Sequence, residues 1–264
     1  MSLPTFVTSD PFSIGQTVTL GEDEAHHIRV RRLELGEEVG LLDGRGSRGS
    51  GVLVRVAKRH AAVTVERIET SSPPPPVHLM LPVAERERML WLAEKATELG
   101  ATSWRPVLWK RSRSVNPRGE GPMFQQKVAA RMAGALEQSR GAWLPVVYPD
   151  ATLERAISAT PEGPRIVLDI RGEPISCLME RTLATARTSG ASPVGPVTIA
   201  VGPEGGCEES ELAALVEAGF ESAGIGSTIL RFETAALAAL AVVRSALATL
   251  PSRAHDQDEE PMHA

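Results

Sequence analysis

Cysteine is scarce in this chain of 264 residues, where Cys177 and Cys207 are the only two. A disulfide framework needs more of them and a metal knuckle needs them closer together, so both read as reduced, incidental thiols. Histidine is thin as well: six residues with one adjacent pair, His26 and His27, whose rings would point to opposite faces of a strand. No metal site is indicated. No apolar run approaches the ~20 residues of a membrane span. The opening "MSLPTFVTSD" also lacks the charged head and apolar stretch of a signal peptide. A cytoplasmic protein with no membrane partner is the expectation, and no internal repeat is visible.

The hydrophobic content of 42% is ample for a packed core, and the length suits one large domain or two modest ones. The formal charge of −5 argues against a polyanionic partner only until the acids are located. Asp256, Asp258, Glu259 and Glu260 crowd into "AHDQDEEPMHA" at the end, so residues 251–264 read as an acidic, disordered tail. Setting those four carboxylates aside raises the charge from −5 to −1. Two local patches are basic: "HHIRVRR" (His26 to Arg32) and "RPVLWKRSRSVNPR" (Arg105 to Arg118) contain no acid. Local patches decide polyanion binding more than the total does. The plainer reading of each is a solvated strand face and a solvated loop.

Four consecutive prolines in "SSPPPPVH" favour an extended spacer and exclude helix, which sets a hinge at residues 73–76. Before it, within residues 1–72, "EEVGLLD", "GVLVRVAK" and "AAVTVERI" are short β-branched runs bounded by glycine turns, as in a small β-barrel or sandwich. After it, over residues 77–250, strands alternate with helical stretches. "VHLMLPV", "ERERMLWLAEKATELG", "ATSWRPVLW" and "GPMFQQKVAARMAGALEQS" come first. "RIVLDI", "PVTIAVG", "SAGIG" and the alanine-rich "ETAALAALAVVRSALATL" follow. That order predicts an α/β domain with a parallel sheet and helices on both faces.

"DGRGSRG" (Asp43 to Gly49) contains a literal G-x-G-x-x-G after a predicted strand. A dinucleotide loop requires a helix to start at the third glycine, and here the strand-like "SGVLVRVAK" follows. The glycines therefore read as a hairpin loop, with Arg45 and Arg48 at a basic tip. "VGPEGGCEESE" (Val201 to Glu211) is a different matter, because it joins the end of a strand to the start of a helix. A Walker loop is excluded, since Cys207-Glu208-Glu209 stands where Lys and Ser or Thr are needed. Acids there suit the first turn of the coming helix. Such a loop lets a zwitterionic ligand without triphosphate, of which S-adenosylmethionine is one, lie against backbone amides. A second loop, "GIGSTILRFET" (Gly224 to Thr234), ends the next strand, and loops at adjacent strand ends form one crevice.

"VGPEGG" followed by "GIGSTILRFETAAL" resembles the ribosomal RNA small-subunit methyltransferase E family, which makes N3-methyluridine in 16S rRNA. "HHIRVRRLELGEEVGLLDGRG", "ERMLWLAEKATELGA" and "EQSRGAWLPVV" extend the resemblance in family order over nearly all of the chain except the tail. The resemblance implies a PUA-like barrel followed by a SPOUT-type sheet with a trefoil knot, a homodimer, and S-adenosylmethionine held by the two glycine loops. Carried onto this sequence, the cofactor would meet Val201, Gly202, Pro203, Glu204, Gly205, Gly206, Ile225, Gly226, Ile229 and Leu230. Two departures stand out. Thr228 occupies the place of the first arginine in the usual L-G-x-R-I-L-R-x-E-T, and "EQSRG" inverts the common S-G-R order, with Arg140 one place early.

Methylating uracil N3 requires a group to take its proton and a cation to stabilise the charge left on the pyrimidine oxygens. Arg231 and Glu233 are the candidates. For Glu233 the plainer role is a first-turn acid at a helix N-terminus; for Arg231 it is a structural ion pair. Glu204 is expected to fix its own loop through backbone N–H groups. RNA contacts are expected from His27, Arg29, Arg31, Arg32, Arg111, Arg113 and Arg140. Trp91, Trp104, Trp109 and Trp143 read as core or interface, and Trp109, beside Lys110 and Arg111, is the best base-stacking candidate among them. The rival readings are a non-catalytic RNA-binding or ribosome-assembly factor on the same fold, and an enzyme of this kind acting on another RNA base.

Overall fold

A computed structural model describes residues 3–112, 121–188 and 194–250. The acidic tail and Arg113 lie outside the described residues.

The first part of the chain forms β1 (Thr5–Val7), β2 (Thr17–Leu20), α1 (Glu22–Val30), β3 (Glu38–Leu42), β4 (Ser47–Val56) and β5 (Ala61–Thr70). The strands make one sheet in the order β1-β3-β4-β5-β2, antiparallel except for β1 beside β3. Register shifts between Ser50 and Gly51 and between Leu53 and Arg55 bend the long β4–β5 ribbon. Its concave side closes over Phe6, Leu20, Leu41, Leu53 and Val63. Against the strand reading of "HHIRVRR", His26 to Val30 are the end of helix α1. Ile28 and Val30 sit two apart and imitate a strand, but the residues buried are Ala25 and Ile28, three apart on one helical face. Glu22, Asp23 and Glu24 at the helix start, with His27 and Arg29 in its last turn, match the helix dipole.

The second part runs β6 (Val77–Pro82), α2 (Arg86–Glu98), β7 (Ser103–Leu108), α3 (Gly121–Ser139), β8 (Val146–Val147), β9 (Ala151–Thr152), α4 (Leu153–Ser158), β10 (Arg165–Pro174), α5 (Ile175–Thr188), β11 (Val197–Ala200), α6 (Glu209–Glu217), β12 (Glu221–Gly224) and α7 (Phe232–Leu247). Its sheet is parallel throughout, ordered β12-β10-β11-β6-β7-β8, with β9 also on β7. Along β6, Val77, Leu79 and Leu81 pack under α2, α3, α5 and α7, while Met80 faces α4 and α6. A strand covered on both faces reads as a continuous apolar run, which is why "VHLML" shows no alternation. β11 lies between β6 and β10, while the chain reaches β12 on the far side of β10. A late strand is thus inserted between two earlier ones, β6 and β10.

The glycine-rich segment Asp43–Gly49 is not a free basic tip. Its backbone docks on the chain after α3: Gly46 N donates to Ala142 O at 2.8 Å, Leu144 N donates to Gly44 O at 2.9 Å, and Arg45 pairs with Trp143 as a β-bridge. Gly46 has φ +109°, and a Cβ there would lie 2.5 Å from the Trp143 ring. Glycine is what permits this approach.

Candidate active site

Parallel strands run toward the same edge of a sheet, so the irregular middle of β10, after Leu168, and the segments leaving β11 and β12 converge. Between them lies a cleft of about 400 Å³, a size suited to a small organic ligand. All ten residues expected at the cofactor, Val201 to Gly206 with Ile225, Gly226, Ile229 and Leu230, line it. Sequence reading missed a third wall, Leu168, Asp169 and Ile170 at the end of "RIVLDI", and a floor from Phe232 and Ala235 of α7. The rule that gathers two loops at adjacent strand ends would have gathered the third had the strand order been known.

The lining carries two carboxylates, Asp169 and Glu204, and no basic side chain. Arg171 donates to Asp169 from its backbone N at 2.9 Å and from Nη2 at 3.0 Å, and its side chain holds the carboxyl below the usual range. Such a lining is hostile to phosphate and favourable to a ligand bearing positive charge. Gly226 is one of the lining residues, and a Cβ added there would meet no protein atom within 4 Å. At Gly202 it would strike Cys207 Sγ at 2.5 Å. Burial, helped by the Glu211 and Asp169 charges, pushes the Cys207 thiol up to about 12, so it is an inert wall of the cleft. The acids after the loop do serve the next helix: Glu211, buried in the first turn of α6, accepts from Glu208 N and from Lys110 N, both at 2.8 Å.

Neither Arg231 nor Glu233 lines the cleft; they flank Phe232, which does. Arg231 is the N-cap residue of α7, its side chain exposed and without an ion pair among the described residues. Glu233 points the other way, toward α2. Its side chain is 10% exposed, Oε1 lies 3.9 Å from Arg88 Nε, and Oε2, also buried, has no hydrogen-bond partner among the described residues. Glu204 is not fixed by backbone amides as expected: its Oε1 takes a short hydrogen bond from Arg88 Nη1. Arg88 also pairs with Glu85 at 3.1 Å. Nothing local in the sequence marks Arg88, whose partner Glu204 is 116 residues away.

The basic candidates divide. His27, Arg31 and Arg32 are exposed at the end of α1, and His27 and Arg31 lie close enough to Glu137 of α3 to influence its titration. Arg29 donates to Lys58 O at 2.7 Å, and Arg140, at φ +56°, ends α3 with its carbonyl accepting from Arg48. Arg111 lies against the glycine loop, with Nη1 3.3 Å from Gly205 O and Nε 3.8 Å from Glu208. Trp109 is buried in the α4–α6 face of the sheet and cannot stack on a base; the exposed tryptophan is Trp91. Among the described residues no cluster could hold a metal and no helix is long and apolar enough to cross a membrane.

Residues 71–244 match a family model described as an RNA methyltransferase domain, and residues 20–66 match one described as an RNA methyltransferase PUA domain. A ribosomal RNA small subunit methyltransferase E from Mycobacterium bovis is 30% identical over 249 residues, spanning 90% of this chain and 89% of the relative. Its namesake from Synechocystis is 28% identical over 237 residues, spanning 89% and 75%. Among solved structures, a ribosomal RNA small subunit methyltransferase E from Neisseria gonorrhoeae bound to S-adenosyl methionine superposes with TM-score 0.79 at 28% identity, over 92% of this chain and 98% of that one. A putative methyltransferase from Legionella pneumophila, also in complex with that cofactor, superposes with TM-score 0.81 over 93% and 98%. At 22% identity it shows the shared fold alone.

Proposed function

The chain belongs to the ribosomal RNA small subunit methyltransferase E family of RNA methyltransferases, and from that membership we propose that it methylates N3 of a uridine in 16S rRNA with S-adenosylmethionine as donor. The observation that carries the reading is the acid-lined cleft closed by both glycine loops. It fits this donor: backbone and apolar walls suit an adenosine, and Asp169 and Glu204 suit a ligand with a sulfonium and an ammonium group. When bound, the cofactor supplies an electrophilic methyl group. The ten residues from Val201 to Leu230 named above are its proposed contacts.

Arg231 stands beside Phe232 at the cleft, exposed and without an ion pair among the described residues, and we assign it the stabilisation of negative charge on the uracil oxygens. Glu233 is the candidate to accept the N3 proton as the N–CH₃ bond forms, which requires its carboxylate, buried beside Arg88, to turn from α2 toward the cleft. His27, Arg29, Arg31, Arg32, Arg111, Arg113 and Arg140 are the proposed RNA contacts. A homodimer, which the family resemblance implies, is part of the proposal. So are the small ribosomal subunit as setting and the cytoplasm as location. Mass spectrometry of 16S rRNA from a strain lacking this protein is the test. Loss of one N3-methyluridine, restored by the gene, is expected. An unchanged methylation pattern rules out the activity, and loss of a methyl from another base corrects its target.

A further inference from the structure

Arg88 gathers three carboxylates from three separate parts of the fold. Glu85 precedes α2, Glu204 sits in the middle of the first glycine loop, and Glu233 is the second residue of α7. The arrangement is costly to build and so calls for a reason. A cation in the first turn of α2 faces the positive end of that helix dipole, and a carboxylate as buried as Glu233 is stable only beside a counter-charge. The two outer partners belong to the segments that frame the cleft. Glu204 lines it directly, and Glu233 follows Phe232, its floor. Within the described residues, the first glycine loop is otherwise tied down by its own Gly206 N to Pro203 O turn and by the weak Arg111 contact to Gly205 O at 3.3 Å.

We propose that Arg88 is a positioning residue for cofactor binding, clamping the Gly202–Gly206 loop to the start of α7 through Glu204 and Glu233 and so setting the width of the cleft. This rests on the cofactor reading of that cleft. Arg88 does not line the cleft and acts through Glu204 and Glu233. With the clamp removed, Glu204 loses its partner and the loop samples positions in which its amides no longer converge. The local charge also shifts by one unit toward negative, which would by itself favour a cationic ligand. A fall in affinity on removing Arg88 would therefore come from lost positioning, against the electrostatic trend.

The experiment is calorimetric titration of the full chain with S-adenosylmethionine and, separately, with S-adenosylhomocysteine, which lacks the sulfonium charge. Thermal melting of each variant without ligand accompanies it. Arg88→Gln is expected to weaken both ligands about tenfold, and Glu204→Gln to do nearly the same. The double variant should be no worse than the poorer single, as for two groups acting as one unit. Arg88→Lys should recover part of the loss, since an ammonium can hold one carboxylate but not fork between two. Unchanged affinity in Arg88→Gln, or additive effects in the double variant, overturns the clamp. A lowered melting temperature with normal affinity does so too, because it makes Arg88 merely structural. If the unaltered protein binds neither ligand, the cofactor reading itself fails and the clamp with it. If it binds both and Arg88→Gln binds equally well, only the clamp is lost.

Discussion

At the residue scale, space and charge around single side chains give the sharpest tests. Gly226 lines the cleft without a positive φ, and a Cβ added there meets no protein atom. Gly226→Val should fold with an unchanged melting temperature and lose S-adenosylmethionine binding by at least about a hundredfold. Retained affinity by calorimetry would put the adenosine elsewhere. Gly205→Val is a poorer probe, since its Cβ would press on Arg111 at 3.1 Å and mix two effects. Arg231→Ala should separate the other way: cofactor affinity is kept, because the loop backbone is intact, while turnover falls on the order of 10²-fold or more for a lost charge-stabilising donor. Arg231→Lys should restore only part of the rate. Normal single-turnover methylation by a dimeric Arg231→Ala protein would remove it from the chemistry.

At the scale of elements, the sequence reveals what local pattern encodes and hides what distance creates. The strands "VHLMLPV" and "PVTIAVG" and the long helices were legible because both-face burial and helical periodicity leave continuous or 3.6-spaced apolar runs. α1 was not, because Ile28 and Val30 copy a strand's spacing. β8, β9 and α4 are too short to carry a period. The two glycine loops were legible as one site. The Asp169 wall needed the strand order and Arg88 needed tertiary contact, so neither had a local signal. The end of α3 yields a prediction of opposite signs. Arg140 sits at φ +56°, where a side chain costs about 1–2 kcal/mol and glycine costs none of that. Arg140→Gly is therefore expected to gain about 0.5–1 kcal/mol from the backbone, after the added freedom of the unfolded chain is subtracted, set against the loss of the contact that Arg140 makes. It should lower RNA affinity if Arg140 is an RNA contact. Denaturant melts and filter binding check the two halves, and a less stable variant would show that the Arg140 side chain anchors the α3 end.

At the scale of the whole molecule, the question is how firmly the barrel is joined to the parallel sheet, since a polyanion bridging both needs them in fixed relation. Gly46→Ala combines backbone strain with overlap against Trp143 and the Ser71 carbonyl, each worth about 1–3 kcal/mol, whereas Gly15→Ala at φ +80° meets nothing and bears strain alone. The first should unfold the joint and shift Trp143 fluorescence, and equal losses in both would deny the joint its importance. The second tie is Glu137 of α3, whose Oε1 accepts from Val7 N of β1 at 3.0 Å. Burial raises its pKa, the Glu24 charge adds to the rise, and the Val7 bond, His27 and Arg31 oppose it. A carboxyl with a raised folded pKa binds protons more readily folded than unfolded, so its contribution to stability falls as pH climbs from about 4.3, the unfolded value, through the folded one. Below that window the group is protonated in both states and the cost vanishes. Glu137→Gln keeps an acceptor for Val7 without the charge. It should melt higher than the unaltered protein at pH 7, with the gap closing toward pH 4. A gap that stays constant across that range would mean that the charge of Glu137 costs nothing at the joint, and one that widens on acidification would mean that the charge is favourable there, held by His27 and Arg31.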